Sequence, residues 1–156
     1  MSTLTALRLP HAILAVLAAL WSASASADPQ ARLVALDGVA VAGFDPVAFF
    51  VDGRALSGQP EIALRWRGVR WHFASPGHRA AFEADPHAYA PQFGGYCALS
   101  VARGRPVPAD PRYWAIMDGR LYLAEGPGPL ALLLASPAET VRTAEQNWPR
   151  WLAGGD

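Results

Sequence analysis

The sequence predicts an α+β fold, a small single domain in which antiparallel β-hairpins pack against short helices. Three observations lead there. Alternating apolar and polar residues run into Arg67-Gly68 and out of it, and two further apolar segments flank Asp118-Gly119. Short helical segments bounded by proline lie between and after these hairpins. No strand–helix–strand alternation of the kind that builds a parallel sheet recurs along the chain.

The elements follow in order. Leu33 to Val41 is mostly apolar around an Asp37-Gly38 turn, and a second turn falls at Asp52-Gly53. Between them, Asp45 precedes Pro46, which holds it extended at a helix or turn start. In the first large hairpin Ile62, Leu64, Trp66, Val69, Trp71 and Phe73 point inward. Arg65, Arg67, Arg70 and His72 point to a wet face. Ser75 and Pro76 read as N-cap and first residue of a helix that runs to about Ala84 and stops before Asp85-Pro86. A helix is expected over Tyr96 to Ala102, ended by Gly104. After the second hairpin, Glu125 to Pro129 is a breaker, and two short helices follow over Leu130–Leu134 and Ala138–Trp148.

The N-terminus reads as an address. Arg8 precedes an apolar run of 10 residues, Ala12 to Trp21, and Ala25-Ser26-Ala27 supplies a small-x-small cleavage pattern. The run is shorter than the ~20 residues that span a bilayer. Residues 1–27 are therefore expected to be a cleavable secretory signal. Residues 28–156 are then one domain, periplasmic or secreted, with no membrane span after cleavage and no lipid anchor. That remainder carries 12 Arg and 13 acidic residues, so it lacks the basic excess that nucleic acid or an anionic membrane surface calls for.

Cys97 is the single cysteine and cannot form an internal disulfide. In an oxidising compartment burial or ligation suits it better than open exposure. Gly94-Gly95 before it lets backbone pack closely or adopt positive φ.

Phe44 to Cys97 resembles the YHS domain family. The resemblance rests on Gly43-Phe44-Asp45-Pro46-Val47-Ala48-Phe49-Phe50, on the run from Phe73 through Ser75-Pro76-Gly77-His78 to Asp85-Pro86-His87-Ala88-Tyr89, and on Gly94-Gly95-Tyr96-Cys97-Ala98. Exported YHS proteins continue the likeness through Trp114 to Leu123 and Asn147-Trp148-Pro149. The resemblance centres on 43–98 and implies metal handling, since shorter YHS and TRASH-like domains hold metals through cysteines. At the positions of three such cysteines this chain has Ala48, Ala74 and His78, so only His78 keeps ligand chemistry.

His78 lies four residues before Phe82 on one helix face, so it turns at least partly inward, as a core histidine or as a ligand. Cys97 is either an inert buried thiol or, with His78, half of a thiolate–imidazole site that suits copper. Met117 could pack or act as a soft third ligand. Asp45 is a turn residue, an acid that orients His78, or a member of the metal site. His72 and His87 are expected at the surface, and Tyr96 as a buried aromatic. No nucleophile elbow, phosphate loop, His-Glu-x-x-His or dinucleotide fingerprint occurs. The expectation is a binding protein rather than an enzyme. Its ligand is a transition metal, copper first, held by His78, Cys97 and Asp45. The alternative is a module that has lost the metal site and binds a small molecule or a protein.

Overall fold

The computed structural model describes residues 33–154, and the expected signal lies outside them. The fold is α+β. A first sheet contains β1 (Ala35–Leu36), β2 (Val39–Ala40), β3 (Gln59–Trp66) and β4 (Val69–Phe73), in the order β1-β2-β4-β3. Within this sheet the β2–β4 contact is parallel and the others are antiparallel. A second sheet pairs β5 (Asp110–Met117) with β6 (Arg120–Ala124). Among the described residues six α-helices accompany them: α1 (Ala48–Val51), α2 (Pro76–Ala84), α3 (Pro86–Tyr89), α4 (Ala98–Ala102), α5 (Pro127–Ala135) and α6 (Pro137–Leu152).

The two expected hairpins form at their dipeptides, and the Asp37-Gly38 turn closes a third between β1 and β2. Asp37-Gly38, Arg67-Gly68 and Asp118-Gly119 each place both residues at positive φ. Those values match the right-handed twist of the flanking strands. α2 starts as expected: the Ser75 hydroxyl accepts the N–H of His78 at 3.1 Å and Pro76 fills the first helical position. Asp85 ends α2 and caps α3 by accepting from Ala88.

Three boundaries differ from expectation. α5 begins at Pro127, inside the expected breaker, because Pro127 fills the first helical position after Gly126. α4 begins at Ala98, not Tyr96, because Tyr96 and Cys97 are extended and bridge to Pro108 and Leu123. α6 runs past Trp148 and carries Pro149 inside it. Trp148 stacks on Trp151 at 5.1 Å, and Tyr96 packs against both rings, which holds that last turn in place.

The interior divides into clusters. Trp71, Phe73 and Phe82 meet Val47 and Phe49 in the first. Phe93, Val101, Leu133, Ala144 and Trp148 form the second. Cys97, Leu99 and Ala124 form a third. β6 serves all of them: Leu121 and Leu123 enter the first cluster, Tyr122 the second and Ala124 the third. Asn147 ties α6 to α4, its amide donating to the carbonyls of Val101 and Ala102 at 3.3 and 2.8 Å. These are end-of-helix carbonyls with no partner inside α4. Among the described residues, no helix is long and apolar enough to cross a membrane.

Candidate functional site

The site begins with Asp45, which is fully buried. Burying a carboxylate is unfavourable unless its oxygens are hydrogen-bonded. Here Oδ1 accepts the N–H groups of Val47 and Ala48 at 2.8 and 3.3 Å, and Oδ2 accepts that of Ala74 at 2.7 Å. Asp-Pro-Val-Ala thus closes a local turn that opens α1, while the Ala74 bond pins that turn to the end of β4. Asp45 Oδ2 also lies 2.7 Å from His78 Nδ1. A carboxylate offers only acceptors, so Nδ1 donates to it, and in the neutral imidazole the lone pair is then on Nε2.

Nε2 points toward Asp52, just past the end of α1, with Nε2 and Oδ2 3.7 Å apart. That exceeds hydrogen-bonding distance, so neither group satisfies the other. The His78 side chain is 17% exposed and that of Asp52 30%, so solvent reaches the pair. A buried acid, an oriented imidazole and an outer carboxylate therefore lie in sequence from interior to surface.

The structure brings together two of the three expected site residues, His78 and Asp45. Cys97 lies elsewhere, a free thiol buried with Leu99 and Ala124 and flanked by Val107, Ala109, Tyr113 and Leu130. Its carbonyl accepts from the Ser100 hydroxyl at 2.7 Å, and that hydroxyl accepts the N–H of Val107 at 3.0 Å. These contacts explain why Cys97 is held in place without involving His78. Met117 packs at the edge of the second cluster. Among the described residues, no group of three or more His, Cys, Asp or Glu side chains is placed to hold a metal ion. Asp52 was not anticipated. Its place beside a turn glycine marked a loop, and nothing in the linear spacing linked it to His78.

His72 corrects an expectation. It is 8% exposed, not solvated, and its Nε2 is buried without a hydrogen-bond partner. Alternation placed it correctly opposite Trp71 and Phe73, but Gly43 and Gly58 cover it on that second face. His87 is exposed as expected, its ring edge-on to Trp66 at 5.3 Å. Tyr96 is half-buried among tryptophans.

Two concavities lie apart from His78. One, of about 250 Å³, is walled by Val34, Val41, Ala42, Pro108, Ala109 and Leu123. The other is a groove of about 620 Å³ between the β5–β6 hairpin and α6, where Arg120, Arg142, Asp118 and Glu145 surround Tyr122. No family model, no curated protein and no solved structure matches the chain.

Proposed function

We propose that this chain is an exported binding protein of the YHS type that presents His78 Nε2 and the Asp52 carboxylate to a divalent transition-metal ion, copper first. One observation supports this above the others: the buried Asp45 carboxylate fixes His78 Nδ1 as a donor at 2.7 Å. Metal-binding histidines are commonly oriented in this way by a carboxylate on the other ring nitrogen. Asp45 is then a positioning residue rather than a ligand. An imidazole and a carboxylate suit Cu(II) or Zn(II) better than Cu(I), which favours thiolate. With two protein ligands the remaining positions fall to water or to a partner's side chain. The reading is one of binding, with no catalytic step.

Titration of the purified protein with Cu(II) and Zn(II), followed by calorimetry and by the His78 ring signals in NMR, tests this. Binding that weakens at least about tenfold in His78→Ala, a difference of ~1.4 kcal/mol, is expected. Cys97→Ala should leave it unchanged. Equal affinity in wild type and His78→Ala would overturn the reading.

The small apolar cavity favours a second reading, a module that takes a small apolar molecule instead of a metal. Changes in the amide signals of Val41 and Leu123 on adding such a molecule, with none from either metal, would select it.

A further inference from the structure

His72 occupies a slot that the fold builds around it. Gly58 presses on β4 so closely that a β-carbon there would sit 2.6 Å from the His72 Cβ and carbonyl oxygen. Gly43, at φ +82°, covers the ring, and a β-carbon there would reach Nδ1 at 3.7 Å. The two glycines are joined, the Gly58 N–H donating to the Gly43 carbonyl at 2.8 Å. Beside this bond the Asp45 N–H donates to the Leu56 carbonyl, also at 2.8 Å. The clasp over His72 therefore closes the segment that carries both Asp45 and Asp52. Two residues beyond His72, the Ala74 amide binds Asp45 itself.

We propose that His72 is a proton-triggered latch: when its buried ring takes up a second proton, the Gly43–Gly58 clasp opens and the segment bearing Asp45 and Asp52 is released from His78. The ring's Nε2 is buried and faces no acceptor, so an added N–H there would go unpaired. The charges around it oppose the cation more than they favour it. β4 contributes Arg70, and β3 contributes Glu61 and Arg65, with Arg65 registered directly across from Arg70. Val39–Gly43 and Leu56–Gly58 carry no titratable side chain. Burial first and Arg70 second hold the imidazole below its ordinary range, with Glu61 acting the other way. Glu61 offsets this only in part, so the charged form is relieved by water, which enters when the clasp lifts. As a control of the His78 site, this inference rests on the metal-binding reading. As a motion of the clasp it does not.

The test is amide hydrogen exchange on the whole protein without metal, at about pH 7.5 and about pH 5, corrected for intrinsic rates. The Gly58 and Asp45 amides should lose about tenfold in protection at the lower pH, while the amides of Phe93, Val101 and Leu133 in the second cluster do not. His72→Phe, or His72→Asn if the larger ring disturbs folding, should abolish the loss. No loss in wild type, or the same loss in both variants, would overturn the latch. Metal titration at the same two pH values separates the ideas. Opening without metal binding at either pH would sink the metal reading and leave the latch standing.

Discussion

The carboxylate of Asp45 accepts the backbone N–H of Ala74, 29 residues further along the chain, at 2.7 Å. One acid thereby joins the start of α1, the end of β4 and the first turn of α2. Asp45→Ala would strand the amides of Val47, Ala48 and Ala74 together with the Nδ1 proton of His78. Loss of about 3 kcal/mol is expected in urea unfolding. Asp45→Asn should lose less, because it keeps one acceptor oxygen.

Stability should decline on the acid side through His72. Its folded-state pKa is depressed by burial and by Arg70. The unfolded chain therefore binds this proton first, near the ordinary value of 6.5. The contribution is complete above that value and is lost as pH falls toward the folded value. Thermal midpoints measured below neutrality should fall more steeply in wild type than in His72→Phe.

Tyr122 sets the alkaline side. Its phenol is raised above 10, chiefly by burial, with the Arg120 hydrogen bond and charge partly offsetting this. The neutral phenol is favoured by folding, so stability is full below 10 and falls as pH rises through the folded value. Phenolate absorbance should show a late-titrating component that Tyr122→Phe removes.

The Cys97 thiol should resist a thiol reagent in the native protein and react once the chain is unfolded in urea. Cys97→Ser should destabilise by about 1–2 kcal/mol, since it buries a hydroxyl among apolar side chains. Rapid labelling of the native protein would contradict the burial seen here.

Gly58→Ala should be among the most damaging single-methyl additions. The new methyl would meet backbone and Cβ atoms of His72, which have nowhere to move. A cost of about 3 kcal/mol is expected from such overpacking, read as a lowered denaturation midpoint.

Much of this architecture is written in local chemistry. The X-Gly dipeptides specify three hairpins because each needs positive φ at both turn positions. Ser75-Pro76 specifies the start of α2 through its hydroxyl and ring. Alternation assigned Trp71 and Phe73 to the core and His72 to the opposite face. It could not show that a distant loop would cover that face, since the Gly43–Gly58 bond is a tertiary event. The same limit explains the candidate site. Asp45 and His78 were recognisable as chemistry-bearing residues, and so was Cys97. Their grouping depends on where β4 and α1 end, and that geometry pairs Asp45 with His78 and sends Cys97 to another cluster.

The alternation along β6 has a consequence for how the molecule comes apart. Consecutive residues Leu121, Tyr122, Leu123 and Ala124 serve three different clusters, and Cys97 bridges to Leu123 in parallel. No cluster can lose its share of this strand without exposing the others. Unfolding should therefore be a single cooperative transition, with fluorescence of the tryptophans in both main clusters changing together. Two fragments divided in the loop after Gly104 should each be largely unstructured alone and should regain structure when mixed, because the strand that completes the first fragment belongs to the second.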